Sequence, residues 1–291
     1  MRDEEIDLYM EAGKTAKKIL DHAKGRVKEG LSILEFVEEA EAMIIDAGAS
    51  IAFPLNVSLN EDAAHDTASP GDERIFSAGD VIKVDMGAHV DGYIADTAIT
   101  VDLGDNALLL EASREALEAA IRYTRPGVTT GEIGAIIQHE IESRGFLPVS
   151  NLTGHGLSRY EIHTAPSIPN IKVEGGATIE EGMVIAIEPF ASTGNGYVTE
   201  RNHVEIFSQV SPARARLPSA KAILKVAREC GGLPFARRWV EHKKVDMGIG
   251  NLLKNNVLHP YPTLHDRAGS LVSQHEHTLI VTDEGCIVTT K

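Results

Sequence analysis

Five residues carry the chemistry open to this sequence: Asp85, Asp96, His155, Glu188 and Glu276. Asp85 closes the apolar run Val81-Ile-Lys-Val-Asp85. Glu188 closes Ile185-Ala-Ile-Glu188, and Glu276 stands at the mouth of His277-Thr-Leu-Ile-Val281. Asp96 lies across a tight turn near Asp91-Gly92, on the second arm of a hairpin whose first arm holds Asp85. A lone Asp is ordinarily a turn or edge residue, but two inside buried-looking strands are costly unless something positive compensates them. His155 sits between Gly154 and Gly156, where the backbone can come close to a partner. Four carboxylates and one imidazole make a hard, oxygen-rich donor set. It suits two neighbouring divalent cations with a bridging water better than a single structural zinc.

The elements that must position these residues are written twice. Residues 4–28 read as a helix with Ile6, Tyr9, Met10, Ala16, Leu20, Ala23 and Val27 on one face. A second helix opens at the capping-box pattern Ser32-Ile-Leu-Glu35 and stops at Gly48. Residues 107–124 are again helical, Arg125-Pro-Gly127 breaks that helix, and Thr129-Thr-Gly-Glu132 opens another that ends at Gly145. Ser32, Glu35, Ile44 and Gly48 match Thr129, Glu132, Ile141 and Gly145 at a constant offset of 97. Gly79-Asp-Val-Ile-Lys-Val-Asp85 matches Gly182-Met-Val-Ile-Ala-Ile-Glu188 at an offset of 103. Each half is two helices, a loop with a histidine (His65 or His155), then a strand ending in an acid. A duplicated chain is expected to fold about a pseudo-two-fold axis, with Asp85 and Glu188 facing each other in a central cleft.

Composition narrows the class. The 291 residues are 43% hydrophobic and 24% charged, which excludes disorder, collagen and coiled coil. No apolar run is long enough for a transmembrane helix, and the start lacks the features of a secretory signal. Only Cys230 and Cys286 are present, so no disulfide framework is expected and a reduced, cytoplasmic setting is the default. The net charge of −15 argues against non-specific binding to DNA or RNA over the whole surface. Between Pro212 and Val245, however, nine basic residues face two acidic ones, so this stretch carries +7 and the rest of the chain −22. A reversal of that size points to an insertion. There is no nucleophile elbow, Walker A loop, dinucleotide fingerprint or zincin helix. His65, in the loop before the first acidic strand, and His163, eight residues after His155, read from position alone as structural. His22, His89, His139, His242, His259 and His265 receive no role.

With these residues in place, the chain resembles the methionine aminopeptidases of type 2, in their short archaeal form. The motifs span residues 53–281, and the repeated helices extend the likeness over almost the whole sequence. The resemblance implies an α/β (α+β) pita-bread fold, internally duplicated with pseudo-two-fold symmetry. It assigns two divalent metal ions (Co, Mn, Fe, Zn or Ni) to Asp85, Asp96, His155, Glu188 and Glu276, with Asp96 and Glu276 bridging. It turns His65 and His163 into catalytic residues that meet the substrate. It lines a methionine pocket with Phe53, Ile162, Phe190 and Tyr261. Glu188 is the expected general base for the attacking water.

Type 2 enzymes also carry a helical insertion between the fourth and fifth ligands, and here 87 residues separate Glu188 from Glu276. The expected organisation is a catalytic domain of residues 1–207 with 267–291, and an inserted helical subdomain at 208–266. The expected substrate is the N-terminal Met of nascent peptides, and the +7 stretch is either a solvated helical face or a docking patch for the ribosome. Proline-specific relatives (Xaa-Pro aminopeptidase or prolidase) share fold and ligands but usually carry a further N-terminal domain. Metal-free pita-bread proteins that bind ribosomes or RNA have lost ligands that are all present here.

Overall fold

The computed structural model describes residues 1–291. Helices α1 (Asp3–Arg26) and α2 (Ile33–Asp46) precede β1 (Ser50–Leu59), β2 (Asp62–Ala64), β3 (Val81–Val90) and β4 (Tyr93–Asp102). The plan repeats with α3 (Ala107–Tyr123), α4 (Thr130–Ser143), β5 (Leu147–Pro148), β6 (Thr153–Ser158), β7 (Glu161–Pro169), β8 (Val184–Ile187) and β9 (Phe190–Ser192). Then follow β10 (Thr199–Gln209), α5 (Pro218–Glu229), β11 (Phe235–Ala236), α6 (Val245–Lys254), β12 (Leu258–His265), β13 (Val272–Gln274), β14 (His277–Val281) and β15 (Cys286–Val288).

The second helix of each half starts and stops alike. The Ser32 and Thr129 side chains accept the backbone N–H of Glu35 and Glu132. At Thr129 the Glu132 carboxylate accepts in return, completing the expected box. At Ser32 only the first bond forms, although both caps enter equivalent isolated β-bridges, Ser32 with Ile75 and Thr129 with Thr178. Gly48 and Gly145 end the two helices in the left-handed region, at φ +85° and +84°. α1 buries Tyr9, Ala12, Gly13, Ala16, Ile19, Leu20 and Ala23, while Ile6 and Met10 of the expected stripe lie only at its margin.

Two antiparallel sheets, ordered β1-β3-β4 and β15-β14-β8-β6-β7, show the duplication in space. The triplet β6-β8-β14 corresponds to β1-β3-β4, with β3 and β8 at the centre of each. α1 and α2 cover the first sheet through a core that includes Ile19, Ile33, Phe36, Ile44, Leu55, Ile82 and Met86. α3 and α4 bury Leu109, Leu117, Ile133, Ile137 and Ile141 with Ile185, Ile187 and Leu279 of the second. Each such aliphatic side chain contributes about 1.5–3 kcal/mol when fully buried. The two sheets meet where β4 runs beside the start of β14. Ala98 of β4 bridges Glu276, and the Thr278 hydroxyl of β14 accepts the Asp96 N–H and donates to the Asp96 carbonyl, both at 2.8 Å. The carboxylates gather along this seam.

The observed pairing corrects one expectation about the repeat. His65 is not the counterpart of His155. His155 lies inside β6, whose counterpart in the first half is β1, whereas His65 lies after β2, at the start of the loop that leads into β3.

The stretch between β10 and β12 carries α5, β11, a short 3-10 turn at Arg237–Trp239 and α6 around an apolar core of its own, including Phe207, Ile223, Leu224, Phe235, Ile249 and Leu252. Its flanking strands pair in the sheet β11-β10-β12-β2, so β12 also joins the first half. The basic character of this stretch is not all on the surface. Arg238 is buried against Glu41 of α2, and the half-buried Arg237 pairs with Asp246 and Glu205. Both are therefore withdrawn from the expected solvated face or docking patch. A charge is buried only when a partner meets it, and here Glu41 stands 197 positions away. Arg214, Arg216, Lys221, Lys225, Arg228, Lys243 and Lys244 are exposed. No helix is long and apolar enough to cross a membrane.

Candidate metal centre

A cavity of about 530 Å³ opens over the seam between the two sheets. Asp85, Asp96, His155, Glu188 and Glu276 all line it, together with Phe53, His65, Ile162, His163, Phe190 and Tyr261. The structure thus brings every residue singled out from the sequence to one concave site.

Strand register explains how the acids converge. Asp85 lies opposite Ala98, and Asp96 lies opposite Gly87, so the two Asp are diagonal neighbours on one face of the β3–β4 hairpin. Glu188 directly follows β8 and Glu276 directly precedes β14, which pairs with β8. His155, on β6, pairs in register with Ala186 of β8. The central strand and the seam strand of each half therefore give one carboxylate apiece, and β6 adds the imidazole. His155 Nε2 lies 3.6 Å from Asp96 Oδ2 and 3.5 Å from Glu188 Oε1. One donor atom each from Asp96, His155 and Glu276 falls within 4.8 Å of the others.

The electrostatics are those of a site built for positive charge. Burial pushes Asp85 up to about 7. Burial, then the charge of Asp85, raises Asp96 well above the carboxylate range. Burial and the neighbouring acids do the same to Glu188 and Glu276. Asp85 Oδ1, Asp96 Oδ1 and Glu276 Oε1 are buried with no hydrogen-bond partner, a cost that protein groups here do not offset. Burial and the neighbouring His163 push His155 down to about 3, so its ring is neutral. Its Nδ1 lies 3.1 Å from the Gly156 carbonyl, which fixes the proton there and leaves the Nε2 lone pair facing the carboxylates. Unsatisfied carboxylate oxygens beside a neutral imidazole nitrogen fit divalent cations.

Around this cluster the cavity has an apolar side and an imidazole side. Phe53 pairs with Gly87, and a Cβ at Gly87 would stand 2.3 Å from the Phe53 ring. The missing side chain lets that ring lie beside the acids. The His155 and His163 rings meet edge-on at 4.5 Å. His163 is exposed toward the cavity but walled in by protein, and this enclosure, then His259, lowers its pKa. His65 is pushed down to about 4 by burial and by His163, its Nδ1 has no partner, and its backbone holds φ +64°. Tyr261 packs on His65 at 5.6 Å and its hydroxyl bonds Ser208 at 3.2 Å.

Two neighbours were given no role from the sequence. His259 packs on Tyr261 at 4.9 Å, one alternate position along β12, a spacing that could have revealed it. Gln274, fully buried, donates from Nε2 to Glu276 Oε2 at 3.3 Å. Its place two residues before Glu276 puts it on the same strand face.

Residues 7–283 match metallopeptidase family M24. The chain belongs to that family. Among M24 relatives, it is 51% identical over 292 residues to a methionine aminopeptidase of Archaeoglobus fulgidus, covering 100% of both chains. It is 44% identical over 295 residues to one of Methanothermobacter thermautotrophicus, covering 98% of this chain and 99% of the relative. In structure it resembles the methionine aminopeptidase of Thermotoga maritima, with a TM-score of 0.75 at 25% identity over 100% of this chain and 98% of that one. A thermophilic Arx1 has a TM-score of 0.89 at 18% identity over 99% and 91% of the two chains, and shares the fold. The prolidase of Pyrococcus furiosus aligns at 0.66 and 21% identity over 100% of this chain but 64% of its own. The pita-bread fold of M24 is the architecture described above.

Proposed function

We propose that this chain is a metal-dependent methionine aminopeptidase of type 2 that removes the N-terminal Met of nascent peptides. The single observation that carries the reading is the convergence, in one cavity, of four carboxylates and a neutral imidazole with an apolar wall of Phe53, Ile162 and Phe190. The identity to curated archaeal methionine aminopeptidases over the full chain supports the same reading. The segment 208–266, with its separate apolar core, supports the type 2 assignment and its inserted subdomain.

In this proposal Asp85, Asp96, His155, Glu188 and Glu276 hold two divalent cations drawn from Co, Mn, Fe, Zn or Ni. Bound there, such cations supply Lewis acidity and a water acidic enough to be a nucleophile near neutral pH. Glu188, at Oε1, accepts the proton from the attacking water and passes it to the leaving amine. His163, held neutral by its surroundings, donates an N–H to the oxygen on which negative charge develops. His65, also neutral, lines the cavity beside Tyr261 and faces the bound peptide. Phe53, Ile162, Phe190 and Tyr261 take up the unbranched thioether side chain. The carboxylate cluster meets the free α-amine, which restricts cleavage to the first residue. The seven exposed basic residues between Pro212 and Val245 are the surface offered to a ribosome, and the two unpaired cysteines suit a cytoplasmic setting.

The test is to strip the protein of metal, add back Mn²⁺ or Co²⁺, and follow amino-acid release from Met-Ala-Ser and Ala-Pro-Ser. Metal-dependent release of Met alone is the expected result. Release of Ala from Ala-Pro-Ser refutes the methionine specificity, and release of neither with either metal refutes the peptidase reading.

A further inference from the structure

Arg238 sits outside the metal-centre cavity yet is as enclosed as the residues within it. Its side chain is 4% exposed and that of Glu41, its partner on α2, 8%. Arg238 Nη2 donates to Glu41 Oε1, and Nη1 donates to the Thr67 hydroxyl at 2.9 Å and the Ala68 carbonyl at 3.2 Å. Trp239, the only tryptophan in the chain, donates from Nε1 to Glu41 Oε2 at 2.9 Å. Glu41 Oε1 also accepts the Leu55 N–H of β1 at 3.0 Å, and the Thr67 hydroxyl donates to the Leu55 carbonyl at 2.7 Å. One ion pair therefore ties four pieces of chain: α2, β1, the loop 65–68 and the 3-10 turn between β11 and α6.

Two of those pieces end in cavity walls. His65 stands two residues before Thr67, and Phe53 two residues before Leu55 on β1. His65 is held in the left-handed backbone region, which a residue other than glycine keeps only when its surroundings over-determine it. Those surroundings include the Arg238–Thr67 and Thr67–Leu55 bonds, together with Val57 N–H donating to the Asp66 carbonyl at 2.7 Å. A buried ion pair adds little net stability over well-packed apolar residues, and here Arg238 Nε has no partner at all. What the planar fork does supply is geometry, since it bonds a carboxylate and a loop at fixed angles in a way an ammonium does not.

We propose that Arg238 and Glu41 form a positioning latch through which the segment between β10 and β12 sets the substrate-facing walls of the cavity, Arg238 acting on His65 through Thr67 and Glu41 acting on Phe53 through Leu55. The latch makes no hydrogen bond to the strand and loop positions that bear Asp85, Asp96, His155, Glu188 or Glu276, so it governs substrate fit and leaves metal binding alone. The consequence for turnover rests on the aminopeptidase reading, whereas the consequence for the loop does not.

The test uses the full chain loaded with Mn²⁺ and compares wild type with R238K and R238A. R238K keeps the charge and loses the fork. The KM for Met-Ala-Ser rises about tenfold or more in both variants, the scale expected when positioning rather than chemistry is disturbed. The Mn²⁺ affinity, measured by calorimetry, stays within about twofold of wild type. Millimolar ethylguanidinium restores KM in R238A and not in R238K. Amide hydrogen exchange across residues 55–68 quickens about tenfold in R238K and stays unchanged across 85–96. Wild-type KM in R238K overturns the latch, as does a KM loss matched by an equal loss of Mn²⁺ affinity, which marks general damage to the site. If wild type itself releases no methionine, the activity reading falls instead, and unchanged exchange at 55–68 in R238K then overturns the latch on its own.

Discussion

Metal loading of the stripped protein releases protons, and the number that the ligand carboxyls release falls as pH rises. Burial holds Asp85 at about 7 in place of its ordinary 3.8. At pH 6 roughly nine-tenths of Asp85 carries a proton, and at pH 8 roughly one-tenth. Ligand carboxylates must be ionised to bind a cation, so that proton leaves when the metal enters. His155, pushed down to about 3, is neutral throughout this range and releases nothing. Asp96, Glu188 and Glu276 are raised in the same direction by burial and by one another, so they add to the release from Asp85. At least about one proton per chain is therefore expelled at pH 6, and the apparent metal affinity climbs about tenfold per pH unit for each proton expelled, or about 1.4 kcal/mol.

The assay is calorimetric titration with Mn²⁺ at pH 6, 7 and 8, each in two buffers of different ionisation enthalpy. A melting curve is a poorer test because two effects oppose each other. Asp85 gives the stripped protein stability that is fully present below its unfolded value and lost as pH rises through about 7, and the raised Asp96, Glu188 and Glu276 act in the same direction. His65 and His155, depressed to about 4 and about 3, give stability present above 6.5 and lost as pH falls through those values. Counting protons separates the two. No release at pH 6, where a bound water is still largely protonated, refutes the inference that these carboxylates are desolvated and share protons while metal is absent.

Three further outcomes follow from single contacts. Gly87→Ala places a Cβ 2.3 Å from the Phe53 ring and displaces it; steady-state kinetics on Met-Ala-Ser show KM raised about tenfold, and an unchanged KM removes Phe53 from the pocket. His163→Ala removes the donor proposed for the oxyanion; kcat falls by about 10²–10³ with KM little changed, whereas a drop confined to KM makes His163 a binding residue only. Gly13→Ala drives a Cβ to 2.1 Å from the Thr289 carbonyl, where α1 meets the C-terminal residues; differential scanning calorimetry shows a loss of about 1–3 kcal/mol, and wild-type stability shows that this approach relaxes at no cost.

Much of the fold was legible because its signals are local. Paired capping residues, helix-ending glycines and the strand that terminates in Asp85 or Glu188 each depend on a few consecutive residues, and the repeat doubles them. The acids could be singled out because an Asp or Glu at the end of a β-branched run conflicts with its own environment. His65 was harder. Its importance comes from a loop folded over β1 and from Tyr261 on β12, and neither contact leaves a period in the sequence. Arg238 was harder still. Within a basic stretch it looks like any solvated cation, and only the distant Glu41 takes it inside.

The same contrast bears on how the site works. The duplicated halves place one carboxylate each on a central strand and one each at the seam, so near-symmetry assembles the negative charge. Symmetry alone would give a centre with no preferred direction for a substrate. The departures supply it. β6 carries His155 where β1, its counterpart, offers Phe53 and Asn56 to the cavity. β7 brings Ile162 and His163 to one wall, and the loop after β2 brings His65 to another. β12, outside the repeat, adds Tyr261 between the two histidines. The four carboxylates of the proposed metal site are therefore what the repeat encodes, and His155 is the member that breaks it. The proposed substrate-facing residues instead differ between the halves or, like Tyr261, lie outside the repeat, and substitutions there are expected to shift KM and specificity while leaving metal affinity in place.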